Sequence, residues 1–377
     1  MSRPLRIGLV GSGFMGRSHA LAWRMAPAVF ELPVKPEVVI LADRTVELAA
    51  QAARQLGIPR WTGDWRDIVR DPEVDLVDIT TPNALHKEMA LAAIEAGKAV
   101  YCEKPLAPTA IDARDMAEAA EHAGLPTFVG FNYLRNPMTR LARDIVSSGE
   151  IGELWSFRGI HAEDYMADPG VPWSWRLDPA GGAGAVADLG SHIIAMARFV
   201  VGPIEELVAD LDTVIPERAI TRGGAPVRPV EVDDQARALV RFANGAVGSI
   251  EASWVATGRK MHLAFELTGS KGTILLDMER MNELRLYLKG QAAGRAGFVE
   301  IPAGPEHADY AAFCPAPGHQ LGFNEIKAIE VKDIALAMAD GPTFRPDFRE
   351  AYEVQRVVDA VLLSARERRW ISIDEVG

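Results

Sequence analysis

Residues Leu5 to Gly16 read LRIGLVGSGFMG. Leu5 to Val10 is a short apolar run of the buried-strand type. Gly11-Ser12-Gly13-Phe14-Met15-Gly16 is a complete G-x-G-x-x-G, and Arg17 to Met25 has helical composition. Strand, glycine turn and helix form the context in which this motif cradles a dinucleotide. Gly11 permits the tight turn, Gly13 lets the backbone approach a pyrophosphate, and Gly16 allows close helix–strand packing. A helix starting there offers N–H groups and its positive dipole end to phosphates. Phe14 and Met15, inside the motif, join the glycines as candidates for cofactor contact.

A second strand, Glu37 to Ala42 (EVVILA), ends at Asp43. An acidic residue there suits the ribose 2′-OH of NAD. Asp43 can equally cap a helix running from Glu47 onward. Arg44 follows directly and suits the 2′-phosphate of NADP. NAD is the expected cofactor, with NADP as the alternative.

The alternation continues through Val74–Thr80, a helix at His86–Ala96, Ala99–Cys102, a helix at Thr109–Ala123 and Thr127–Gly130. Alternating strands and helices imply a doubly wound parallel sheet covered on both faces. Ligands bind beyond the carboxyl ends of such strands. The candidates there are Thr80, Thr81, Pro82, Asn83 and His86, then Glu103 and Lys104, then Asn132 and Tyr133. Lys104 stands out, because a lysine beside a nicotinamide ring can move a proton. Position alone leaves it open between that role and a surface lysine before a loop proline.

From Gly181 the chain reads GGAGAVADLGSHIIAMARFVVG, a glycine loop and then a helix over Ala185–Val201. Asp188 and His192 are four apart, which places both on one face of a regular helix. A carboxylate beside a histidine is a common acid–base unit. The pair can also be a satisfied core pair.

Three blocks now stand together: Gly11/Gly13/Gly16, Glu103-Lys104-Pro105, and Gly181-Gly182 through Asp188, Gly190 and His192. With this spacing the chain resembles the Gfo/Idh/MocA family of NAD(P)-dependent sugar and cyclitol dehydrogenases over nearly its whole length. The resemblance implies that Lys104 exchanges the hydroxyl proton. It implies that Asp188 and His192 hold and polarise the reacting hydroxyl, with His192 as the alternative acid–base. It also implies a Lys104–Pro105 bond that is often cis, aiming the lysine side chain. Asn132-Tyr133, Ala167-Asp168-Pro169, Trp175-Arg176, Glu279–Tyr287 and Pro315–His319 look like the branch holding levoglucosan and scyllo-inositol (L-glucose) dehydrogenases. Glu163 and Asp164 fall where that branch contacts substrate. Many members carry an aspartate three residues after the motif histidine, where this chain has Ala195.

Beyond about Pro126 long strands replace the βα rhythm. Glu153–His161, Gln235–Phe242, Ala246–Ser253, His262–Thr268, Thr273–Leu276 and Glu283–Leu288 read as a mainly antiparallel open sheet. Asn244-Gly245 marks a hairpin. Helices over Leu321–Ala339 and Asp347–Arg368 close the chain. The expected division is a Rossmann domain over 1–126 and an α+β substrate and oligomerisation domain over 127–377. By resemblance, the last helix (347–368) packs back on the first domain, and the open sheet face makes a homodimer or homotetramer. Trp173, Trp175 and Arg176 precede the motif helix. Aromatic faces and guanidinium donors suit a hydroxylated ring, and the tryptophans suit a core equally well. His319, in the loop CPAPGHQLG, is a further candidate substrate donor.

Composition narrows the classes. The 377 residues carry 40 Lys+Arg against 52 Asp+Glu, a formal net charge of −12. An acidic chain without a basic run is not expected to bind nucleic acid or anionic membrane. The most apolar long stretch, Ala183–Gly202, holds Asp188, His192 and Arg198, so it is not expected to span a bilayer. Cys102 and Cys314 make neither a disulfide framework nor a four-ligand zinc site. They fit a reducing cytoplasm, and no metal is expected. The reading is an NAD-dependent dehydrogenase acting on a secondary alcohol of a sugar or cyclitol. A keto-sugar reductase using NADPH and a non-catalytic sugar sensor are the alternatives. The presence of Lys104, Asp188 and His192 together argues against a sensor.

Overall fold

A computed structural model describes residues 3–182 and 184–377. The chain runs β1 (Leu5–Val10), α1 (Phe14–Val29), β2 (Pro36–Ala42), α2 (Val46–Leu56), β3 (Arg60–Thr62), α3 (Trp65–Arg70) and β4 (Leu76–Ile79). It continues with α4 (His86–Glu95), β5 (Ala99–Cys102), α5 (Ala110–Ala123), β6 (Thr127–Val129), α6 (Pro137–Ser147) and β7 (Leu154–Ala162). A π-helical turn at Val186–Gly190 leads into α7 (Ser191–Val200). Then come β8 (Ile204–Asp212), β9 (Glu217–Ala219), β10 (Val227–Pro229), β11 (Gln235–Phe242), β12 (Val247–Ser253), β13 (His262–Gly269) and β14 (Gly272–Asp277). The chain ends with β15 (Glu283–Leu288), β16 (Val299–Pro302), α8 (Tyr310–Phe313), α9 (Phe323–Ala337), α10 (Phe348–Glu367) and β17 (Ile371–Ser372).

Two compact units result: 1–135 with 322–353, and 136–321 with 354–377. The division falls after Arg135 rather than after Pro126, and the first unit is completed by a later segment. The reason is apolar. Val331 and Ile334 of α9 and Phe344 pack with Leu5, Trp23, Leu76, Tyr101 and Phe128 in one buried cluster. Of the last helix, only the first residues, through Glu353, belong to the first unit.

In the first unit a six-stranded sheet has the order β3-β2-β1-β4-β5-β6, and every pairing is parallel. The order reverses between β1 and β4, which makes a crevice at their carboxyl ends. Glycines at positive φ, Gly57 and Gly124, end α2 and α5, where a side chain would strain the left-handed cap.

In the second unit nine strands run in the order β16-β15-β14-β13-β7-β12-β11-β8-β17. Only β7 with β12 is parallel; the other pairs are antiparallel. The Asn244-Gly245 hairpin is present, with Asn244 Oδ1 accepting the Ala246 N–H at 3.1 Å and the register Arg241↔Val247 behind it. A separate two-stranded ribbon pairs β9 with β10. Among the described residues, one helical run, within Pro179–Val200, is long and apolar enough to cross a membrane, and 82% of its apolar window is buried within the protein. It is a core element here.

Candidate active site

The glycine loop in the first unit is built for close backbone approach. Gly11 has φ +100°. A Cβ on Gly16 would sit 2.1 Å from the Gly11 carbonyl oxygen, whereas a Cβ on Gly13 would meet nothing within 4 Å. Gly13 is the N-cap of α1, no side chain caps it, and the first turn carries no acidic residue. The helix N-terminus is thus left to a ligand. Thr80 braces the loop from below, its hydroxyl donating to the Val10 carbonyl at 2.9 Å. Asp43 accepts from Ser12 N–H at 3.0 Å and from the Ser12 hydroxyl, and its other oxygen takes Arg44 N–H at 2.7 Å. The cap of α2 is Thr45, which accepts from Leu48 N–H, so Asp43 does not serve as that cap. Arg44 is exposed, and so is Phe14, at 73%. Phe14 stacks on Phe323 at 5.6 Å, and Tyr133 tilts against the same ring at 6.2 Å. Asn132 is buried, with Nδ2 lacking a hydrogen-bond partner. The open space at Gly13, the uncapped helix and this orphaned amide fit a dinucleotide.

Two expected cofactor residues face inward. His86 is fully buried. Its ring nitrogens lie 2.9 Å from the Thr81 carbonyl oxygen and 3.1 Å from that of Pro105, and burial pulls its pKa down. A ring whose two nitrogens both face backbone oxygens braces the loop after β5. Glu103 is also buried, and its carboxylate is occupied by His19 at 2.8 Å and Lys327 at 3.1 Å. Lys104, next in sequence, is half-buried and joined to Pro105 by a cis peptide bond. Thr81 is half-buried, Pro82 exposed and Asn83 buried.

In the second unit Asp188 lies on the π-helical turn and is half-buried. Its Oδ2 accepts from the Tyr165 hydroxyl at 2.7 Å and from Arg176 Nε–H at 3.2 Å. Burial and the facing Asp188 charge push the Tyr165 pKa up, so this hydroxyl remains a donor. The Arg176 guanidinium lies 4.4 Å over the Trp175 ring. His192 opens α7 and meets His161 edge-on, with ring centroids 5.4 Å apart. His161 in turn reaches the Leu189 carbonyl at 2.9 Å and the Glu163 carboxylate at 3.1 Å.

The helix expected from Ala185 is interrupted by the π-helical turn over Val186–Gly190 before α7 begins at Ser191. The start of this helical run is capped from far along the chain. Buried Asp233 accepts Val186 N–H at 2.8 Å, and its own carbonyl takes Ala185 N–H at 3.0 Å. Gly184, at φ +108°, makes room, since a Cβ there would lie 2.2 Å from Asp233 Oδ1. Burial raises the Asp233 pKa to about 6.

The other expected substrate residues are placed as follows. Trp173 packs against the cluster of Met166, Leu177 and Trp254, with Arg228 3.6 Å over its ring. Ala195 is buried. His319 is exposed, and its carbonyl takes the Tyr310 hydroxyl at 2.6 Å. Among the described residues one cluster offers ligand atoms to a metal within 4.8 Å of one another: His262, Asp277 and Glu279. Glu279 is already paired with Arg259 at 2.8 Å.

Tyr165, His161, Ser12 and Arg218 were not singled out by the sequence. Arg218 is buried and donates to the Met166 and Asp168 carbonyls at 2.6 and 2.9 Å, which pins the loop after Tyr165. His161 had a signal, a polar residue at an inward position of a strand. Tyr165 had none, because its partner is 23 residues away.

Two family models match: the oxidoreductase family NAD-binding Rossmann fold over residues 5–131 and the GFO/IDH/MocA C-terminal domain over 139–275. Levoglucosan dehydrogenase of Pseudarthrobacter phenanthrenivorans is 40% identical, over 99% of each chain. The scyllo-inositol 2-dehydrogenase (NAD(+)) of Bacillus subtilis (strain 168) is 27% identical, over 91% of this chain and 89% of that one. A solved levoglucosan dehydrogenase in complex with NADH and L-sorbose is 42% identical, with a TM-score of 0.96 and 98% of each chain covered. With two domain models, a full-length relative and the glycine cradle in agreement, the chain belongs to the Gfo/Idh/MocA family of oxidoreductases.

Proposed function

We propose that this protein is an NAD-dependent dehydrogenase that oxidises a secondary alcohol of levoglucosan or a closely similar pyranose or cyclitol. The observation that carries the reading is Asp188, a carboxylate held at one oxygen by Tyr165 and Arg176 on the turn that leads into α7, where His192 lies. NAD, when bound in the glycine cradle, would supply the hydride acceptor for the carbinol carbon. Lys104 Nζ takes the hydroxyl proton. Asp188 and His192 hold the reacting hydroxyl, with His192 as the alternative acid–base. Tyr133, Glu163, Arg176 and His319 meet the remaining hydroxyls. Gly11, Gly13, Phe14, Met15, Gly16, Asp43, Thr80, Thr81, Pro82, Asn83 and Asn132 shape the cofactor site. The second unit carries substrate recognition. Its open sheet face, with Leu239 56% and Val247 46% exposed, carries assembly into a dimer or tetramer in the cytoplasm.

The full-length match to levoglucosan dehydrogenase supports this substrate class. The test is NAD and NADP reduction over levoglucosan, inositols and free hexoses. Turnover of levoglucosan or a near relative with NAD is expected. Binding without turnover across the panel would overturn the reading in favour of a sugar sensor.

A further inference from the structure

We propose that Lys327 and His19 are positioning residues for Lys104, acting through Glu103. The proposal rests on the role given to Lys104 above. It begins from a cost. His19, Asp78 and Lys327 are fully buried, and Glu103 is 4% exposed. None of these ionic groups reaches solvent, and each is expensive to desolvate. Apolar residues of similar volume would serve stability as well, so stability does not explain the cluster.

Its connectivity does. Glu103 Oε2 accepts the backbone N–H of Lys104 at 3.2 Å. Glu103 Oε1 is held from two sides, by His19 Nε2 at 2.8 Å and Lys327 Nζ at 3.1 Å. The second nitrogen of His19 lies 2.8 Å from Asp78, which also takes Trp23 Nε1–H at 2.7 Å. An imidazole facing carboxylates at both nitrogens donates at both only as the imidazolium. Burial works to lower the His19 pKa, yet with Asp78 beside it the net shift is upward. Lys327 is braced in turn by Glu330 at 2.8 Å. A Cβ on Gly130 would lie 2.5 Å from Glu103 Oε1, so the chain after β6 closes directly over this carboxylate.

The peptide that carries Lys104 is therefore anchored to α1 through His19 and to α9 through Lys327. The same α1 begins at the glycine loop. The cluster thus sets the lysine in fixed register with the cofactor cradle while touching neither substrate nor cofactor.

The test uses the full chain without cofactor. Lys327→Met removes the charge and keeps the length; His19→Phe removes the second donor and keeps a ring against Tyr101. Hydrogen exchange is read at the Lys104 amide, and kcat and KM for NAD are measured on the same preparations. Exchange at Lys104 is expected to rise at least about tenfold, a lost charge-assisted hydrogen bond, with β1 and β4 still protected. The turnover number should fall about tenfold or more with KM for NAD unchanged. Native protection of the Lys104 amide in a folded variant would overturn the proposal. So would loss of protection spread evenly over the six-stranded sheet in both variants, which marks a scaffold role. The exchange readout needs no substrate. Failure of the parent enzyme to oxidise any polyol would sink the dehydrogenase reading and leave this measurement standing.

Discussion

The Tyr165 hydroxyl donates to Asp188 Oδ2 at 2.7 Å, and the Tyr165 ring meets Trp254 edge-on with centroids 6.1 Å apart. One side chain thus touches both the core and the carboxylate assigned to substrate. Removing only the hydroxyl separates these functions. Tyr165→Phe keeps the ring packing, so the melting temperature should change by no more than a few degrees. Asp188 loses a charge-assisted donor worth about 1.5–3 kcal/mol. The expected result is a fall in kcat/KM for the polyol of roughly tenfold or more, with KM for NAD unchanged. Steady-state kinetics with each substrate varied in turn checks it.

Lys104→Ala should abolish turnover and leave NAD binding nearly intact, because the pyrophosphate cradle is backbone at Gly11, Gly13 and Gly16. A general acid–base typically contributes ~10²–10⁴-fold. Fluorescence titration with NADH beside the rate measurement tests it. A variant that keeps more than about a tenth of kcat contradicts the assignment.

Asp43→Ala should raise KM for NAD far more than KM for NADP. The carboxylate is fixed at the end of β2 by Ser12 and Arg44 N–H groups. Its loss removes ribose hydrogen bonds and also the repulsion that excludes a 2′-phosphate. The ratio of kcat/KM for the two cofactors is the measurement, and an unchanged ratio refutes the role.

Asp233 supplies the pH prediction. Its carboxyl is held at about 6 in the fold by burial, against about 3.9 in an unfolded chain. The native state therefore binds the extra proton between about pH 4 and 6. Stability from this group is present below that window and is lost as pH rises through it. Above pH 6 the loss is complete and amounts to about 3 kcal/mol. Asp233→Asn lacks this titration and still accepts from Val186 N–H. The unfolding free energy of the variant minus that of the parent should rise by about 2 kcal/mol between pH 4 and 6.5. Denaturant unfolding across the window measures it, and a constant difference excludes the shifted carboxyl.

The legible features were those that short spacing dictates. Leu5–Val10 followed by the glycine motif marked the first strand and cradle, because turn, phosphate approach and helix packing each need glycine within a few residues. Asn244-Gly245 marked its hairpin for the same reason. The π turn was illegible because the residue that caps it, Asp233, lies 47 positions after Val186. The cluster around Glu103 was illegible too, since its partners His19 and Lys327 stand 84 and 224 positions away. The return of α9 to the first sheet follows from burial of Val331 and Ile334 against Trp23 and Tyr101, a contact no local pattern announces.

That return fixes an order of events during synthesis. The six strands of the parallel sheet are all made by Val129, yet the unit they belong to ends at Glu353. A nascent chain that has just finished β6 must hold Trp23, Tyr101 and Phe128 without the helix that covers them, and Glu103 without its lysine. At translation speeds of roughly 5–20 residues per second, about ten to forty seconds pass before Gly322 appears. A fragment cut after Arg135 should be poorly soluble on its own, and the nucleotide cradle should gain its full rigidity only after the second unit has been synthesised.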